Sequence, residues 1–236
     1  SRQHKLLGSQ NREIGLVSTT VMDFGTSSVP PSRRGFRMPA EWESHRATWM
    51  IWPHNRLDWE VKTSAVRWCF GEVIKRLTKG ERVALVVQDE RTKRNAERTL
   101  ARIDTHLSRV DFYEIRTNRS WIRDCGPIFV TRSTPKGQRR IAVTDWRFNG
   151  WARYRTWARD NTVPDRVARI LKVPRFRIRI RQSGRFRDVV LEGGSIDVNG
   201  QGLLLTTEEC LLGKLQARNP GLSRKSIEYA LKVNLG

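Results

Sequence analysis

The hydrophobic pattern alternates between strand-length apolar runs and stripes at helical spacing. Ala47 to Trp52 is an apolar stretch closed by Pro53, which cannot donate to a ladder, and it predicts a buried strand. Val66, Cys69, Val73 and Leu77 recur at helical spacing in a segment ended by Gly80, and Val83 to Val87 then reads as a second buried strand. Ala96, Leu100, Ile103 and Leu107 form the apolar stripe of another helix, with Arg91, Arg94, Arg98 and Arg102 on its wet side.

A repeat follows. Strands at Pro127 to Thr131 and Ile141 to Trp146 flank a Pro-Lys-Gly turn, a helix opens at Val163-Pro164, and a strand is expected at Phe176 to Ile180. The same order returns with Ser195 to Val198, the hairpin signal Asn199-Gly200, a strand at Leu203 to Thr206, and a helix capped by Ser223. Matching elements lie roughly 60 residues apart, which defines a repeated ββαβ unit and an α/β fold class. The Ser223 helix reaches Gly236, so the strand completing this last unit is not among the 236 residues, and the chain is expected to cover only the earlier units. Composition changes after Pro30-Pro31-Ser32. Residues 1–37 are therefore expected to form a disordered or extraneous leader, and residues 38–236 a single α/β region.

Composition narrows the classes of function. Hydrophobic residues make up 38% and there are nine tryptophans, a content that disordered chains lack. No apolar run approaches the ~20 residues needed to cross a bilayer, so no membrane partner is expected. The formal net charge of +21 raises the question of nucleic acid. The excess is scattered arginine, however. Around Arg175-Phe176-Arg177-Ile178-Arg179-Ile180-Arg181 it alternates with apolar residues, as on the solvated face of a strand, and neither zinc spacing nor an RNA-recognition motif accompanies it. A nucleic-acid partner is not expected. Three cysteines, Cys69, Cys125 and Cys210, argue against a disulfide framework and for a reducing, cytoplasmic setting.

Two acidic signatures carry the chemistry. Ser120-Trp121-Ile122-Arg123-Asp124-Cys125-Gly126-Pro127 and Val190-Leu191-Glu192-Gly193-Gly194-Ser195 each place a carboxylate beside glycine or proline, where a ligand can approach the main chain. Two such acids suit a planar guanidinium, whose rigid fork of donors carboxylates accept in pairs. Together with Met38-Pro39-Ala40-Glu41-Trp42-Glu43, Trp52-Pro53-His54-Asn55, Asp145-Trp146-Arg147-Phe148-Asn149 and Leu205-Thr206-Thr207-Glu208-Glu209-Cys210-Leu211-Leu212, these blocks resemble the agmatine deiminase and bacterial-type peptidylarginine deiminase family, colinearly from about Met38 to Gly236.

The resemblance implies a five-bladed α/β propeller, the pentein fold of the guanidino-modifying superfamily, of which this chain would supply an incomplete part. It implies hydrolysis of agmatine to N-carbamoylputrescine and ammonia, on the route to putrescine, with no metal or organic cofactor. Asp124 then matches the guanidinium-binding aspartate and Glu192 the acid that partners substrate and catalytic histidine, while Trp121 is a candidate wall against the substrate's methylenes. The family's nucleophilic cysteine and its Asp-Gly-His-x-Asp histidine have no counterpart among the 236 residues, so these residues alone are expected to bind substrate poorly and not to turn over. Cys125 adjoins Asp124, but in extended chain the two would face opposite sides, and an inert buried thiol is the expectation.

Some positions depart from the family pattern. Arg46 stands where relatives often carry an acid, Arg119 where many agmatine deiminases place an aspartate, and Ser44 replaces a frequent proline. Added positive charge would weaken attraction for a dication, which leaves peptidyl-arginine as an alternative substrate. A non-catalytic basic binding remnant is the alternative from another class. Homo-oligomerisation stays open.

Overall fold

The computed structural model describes residues 29–182 and 184–236. Strand β1 (Ala47–Ile51), the short helix α1 (Arg56–Trp59), helix α2 (Thr63–Leu77), strand β2 (Arg82–Val87), helix α3 (Glu90–Arg102) and strand β3 (Val110–Glu114) form the first unit. Its strands pair in parallel in the order β1-β2-β3. Parallel strands covered by helices bury nearly every side chain, and Val83 to Val87 are all buried. Ile74 of α2 and Ala96 and Leu100 of α3 meet Trp52, Val83, Leu85 and Val87 in one cluster. Asp89 caps α3 by accepting from the Thr92 amide at 2.7 Å. The α3 stripe ends sooner than its spacing predicts. Asp104 adopts a left-handed φ of 57°, so Leu107 falls in a separate turn, and the edge strand β3 begins at Val110.

After the one-turn helix α4 (Ile122–Cys125) come β4 (Ile128–Ser133), β5 (Arg139–Asp145), helix α5 (Val163–Leu171) and β6 (Arg175–Arg177). β4 and β5 form an antiparallel hairpin, and α5 carries the chain over to β6, which pairs in parallel with β5. This is the expected ββαβ unit. The first unit differs from it, being parallel throughout.

The strand expected at Phe176 to Ile180 is divided. At Ile178 the backbone changes partner, its amide donating to Asp145 O (3.0 Å) and its carbonyl accepting from Val189 N (3.2 Å). Strand β7 (Arg179–Gln182) then pairs antiparallel with β8 (Arg185–Asp188). Phe176 and Ile178 face inward as predicted. The arginines that alternate with them are engaged: Arg175 with Asp145 and Asp165, Arg177 and Arg179 with Asp188.

Strands β9 (Ile196–Val198) and β10 (Leu204–Thr206) pair antiparallel. The Asn199-Gly200 signal does mark a hairpin, although its loop runs from 199 to 203, with Asn199 Oδ1 accepting from the amides of Gln201 and Leu203. Helices α6 (Glu208–Leu212) and α7 (Arg224–Leu235) follow, capped by Thr207 and Ser223. Helix α7 packs on the N-terminal side: Ser32 Oγ donates to Val233 O at 2.8 Å and Met38 N to Leu235 O at 2.6 Å. Of the expected leader, residues 1–28 lie outside the described residues, whereas Phe36 is buried against Phe176. The described sheets contain three, two, three and two strands. No described helix is long and apolar enough to cross a membrane.

Candidate guanidinium-binding site

The two acidic signatures meet. Helix α4 is a single turn in which the Trp121 carbonyl accepts the amides of Asp124 and Cys125, each at 3.1 Å. Against it lies the turn Gly193–Ser195, closed by Ser195 N and Oγ donating to the Glu192 carbonyl at 3.0 and 2.7 Å. The glycines permit this approach. A Cβ on Gly193 would stand 2.5 Å from the Arg123 carbonyl oxygen, and one on Gly194 would overlap Asp124 Oδ1. The Gly194 backbone lies against the Asp124 carboxylate and favours its charged form.

Glu192 is 2% exposed, and its ionisation is disfavoured first by burial and also by the nearby charge of Asp124. Burial likewise raises the Asp124 pKa, opposed by Arg123, the Gly194 backbone and Arg218. Each carboxyl therefore resists ionisation, and the charge of Asp124 adds to that resistance at Glu192. Trp121, 38% exposed, stands at the start of the same turn with its ring against Trp59, the centroids 5.3 Å apart.

The site contains a residue that the sequence reading did not single out. Arg218, between α6 and α7, donates from Nε to Glu192 Oε1 at 3.2 Å, and only 11% of its side chain is exposed. Its Nη1 donates to Gln216 O and Oε1 at 3.1 and 3.3 Å, and its carbonyl accepts from Asn149 Nδ2 at 3.4 Å. The following Asn219 clamps Val190 at both backbone groups, accepting its amide at 2.8 Å and donating to its carbonyl at 2.9 Å. Asn149 therefore also braces this loop. Asn219-Pro220 was the available signal, a side chain able to mimic a backbone partner just before a chain reversal.

Cys125 is buried as expected, for a different geometric reason. The segment is helical rather than extended, so Cys125 turns into the cluster of Ile51, Val86, Ile115 and Val163 while Asp124 faces Gly194. Burial pushes its thiol well above the ordinary cysteine range, away from the nucleophilic form. His54 is held between the carbonyls of Trp52 (3.2 Å) and Thr117 (3.3 Å), and desolvation favours its neutral ring. Arg123 pairs with Glu41. Arg119, whose added charge counted against a dication, is paired with the buried Asp58 and lies 4.1 Å from the centre of the Tyr154 ring. Two surface cavities, of about 510 and 530 Å³, open beside Arg177–Arg181 and beside Asp111–Tyr113, and neither takes in Asp124 or Glu192. Among the described residues no group of three or more His, Cys, Asp or Glu converges as metal ligands would.

Fold and site together define a mixed α/β protein of small sheets that brings a buried and a half-buried acid to one glycine-lined turn. The sequence profile of the Porphyromonas-type peptidyl-arginine deiminases matches residues 37–236, and the chain belongs to that family. It is 36% identical over 215 residues to an agmatine deiminase of Medicago truncatula, covering 87% of this chain and 53% of the relative. An agmatine deiminase of Pseudomonas aeruginosa is 39% identical over 207 residues, covering 86% and 51%. Among solved structures, the agmatine deiminase of Enterococcus faecalis superposes with a TM-score of 0.74 at 34% identity, over 88% of this chain and 52% of that one. The C. jejuni agmatine deiminase with substrate bound gives 0.66 at 26% identity, over 84% and 52%. The chain spans about half the length of the curated relatives it matches.

Proposed function

We propose that this chain carries the cation-binding side of an agmatine deiminase site, in which Asp124 and Glu192 hold the substrate's guanidinium and Trp121 lines the approach of its methylenes. The reaction replaces one C–N bond of the guanidinium with a C–O bond, giving N-carbamoylputrescine and ammonia from agmatine and water. A guanidinium carbon resists water because its charge is delocalised over three nitrogens. Two carboxylates that fix the fork and concentrate that charge prepare it for attack by a thiolate aided by a general acid and base. Cys125 is not that thiolate, since its proton is held by burial. The ββαβ units are read as blades of the pentein propeller, and three free cysteines accord with a cytoplasmic setting.

The observation that carries the reading is the convergence of Asp124 and Glu192 on the Gly193-Gly194 turn. Agmatine is favoured over peptidyl-arginine because one of the two basic residues that counted against it, Arg119, is neutralised by Asp58. Calorimetric titration of the 236 residues tests this. Agmatine should bind at least about tenfold more tightly than putrescine, which offers an ammonium in place of the guanidinium, and also more tightly than a peptide ending in arginine. Asp124→Asn and Glu192→Gln should each weaken agmatine at least about tenfold. Equal affinity for agmatine and putrescine, or indifference to both substitutions, would remove the reading.

A further inference from the structure

We propose that Arg218 is a positioning residue for Glu192, the resident counter-cation that lets both acids of the site accept an incoming guanidinium. The proposal rests on the guanidinium reading above and adds a residue to it. Glu192 is buried and the half-buried Asp124 adds like charge beside it, so Glu192 left to itself keeps its proton and becomes a donor where the ligand needs an acceptor. With Asp124, Glu192 and Arg218 all charged, the cluster carries one net negative charge, which one guanidinium neutralises.

The geometry is built for this role. Arg218 reaches Glu192 Oε1 through Nε and Gln216 through Nη1, so its planar head is fixed in two directions at once. A lysine supplies one point charge and cannot span both. The clamp of Asn219 on the Val190 backbone and the bond from Asn149 to the Arg218 carbonyl fix the arginine's main chain relative to the strand end that delivers Glu192. The charged groups that bear on Glu192 are Arg218 from the loop before α7 and Asp124 from α4, and Arg123 acts on Asp124 in turn.

The test is a side-chain carboxyl NMR titration of Glu192 in the 236-residue chain, with agmatine affinity measured across pH in parallel. In Arg218→Gln the Glu192 midpoint should rise by at least about one pH unit, with Arg218→Lys intermediate. Agmatine affinity in Arg218→Gln should fall at least about tenfold near neutral pH and recover towards the wild-type value as pH rises past the new midpoint. A merely structural role would give a loss equal at every pH, and that result, or an unmoved Glu192 midpoint in the folded variant, overturns the proposal. Should Arg218→Gln fail to fold, the same two readouts on Arg218→Lys decide. A raised midpoint in a chain whose wild type binds no agmatine leaves the hold of Arg218 on Glu192 standing and removes the guanidinium reading.

Discussion

The parallel unit β1 to β3 and the acidic turn pair around Gly193-Gly194 are stabilised in opposite ways. In the first, Val83, Leu85, Val86 and Val87 are buried between helices, and stability follows apolar volume removed from water. In the second, Glu192 is as deeply buried, yet its neighbours are Arg218, Asp124 and a glycine backbone, and burial there raises the pKa of both carboxyls, which on the proposed function suits them to a cation. Substitutions in the first region should act on stability without regard to pH. Those in the second should act on ligand binding and be read through pH.

The contrast is sharpened first by Leu85→Ala. Leu85 is fully buried, so the change should cost about 2 to 5 kcal/mol by urea unfolding, with the same cost at acid and neutral pH. A strongly pH-dependent cost would break the division between the regions. Gly194→Ala comes next. Its methyl overlaps Asp124 Oδ1, so overpacking of about 1 to 3 kcal/mol is expected together with loss of agmatine binding measured by calorimetry. Retained binding would show that Asp124 need not stand where it does.

The smallest effect expected is at Asp160, which lies between the regions. It is fully buried, its Oδ1 accepting the amides of Asn118 (2.6 Å) and Arg119 (3.2 Å) while Oδ2 has no partner among the described residues. Burial raises its pKa from 3.8 to about 6. The folded chain therefore holds this proton more tightly than the unfolded chain, and the linked stability, complete below 3.8, is lost as pH rises through about 6. Asp160→Asn keeps an acceptor and removes the charge. It should match or exceed the wild type by up to about 1 to 3 kcal/mol at slightly alkaline pH and flatten that slope in thermal unfolding.

The same division governs what the sequence reveals. The strand at Ala47, the helix from Val66 and the strand at Val83 are legible because burial on a sheet imposes continuous apolar runs and helical stripes. The edge strand from Val110 is not, since the preceding stripe runs on to Leu107 and nothing in the pattern shows the left-handed turn at Asp104. Nor is the division of the strand at Ile178, where alternation continues while the hydrogen-bonding partner changes. Asp124 and Glu192 stand out through their motifs, and the close approach of the two turns explains the glycines Gly193 and Gly194. Arg218 does not, because its meaning lies in a carboxylate 26 residues away and in no local period.

The central claim is that Asp124 and Glu192 bind one guanidinium between them. Agmatine titrated into the isotope-labelled chain near pH 8 tests it most directly, with backbone amide and side-chain carboxyl signals followed together. The amides of Asp124, Gly193 and Gly194 and the Glu192 carboxyl should shift along a single saturation curve that disappears in Asp124→Asn. Signals that stay fixed at these four groups, or that move identically in Asp124→Asn, would contradict it.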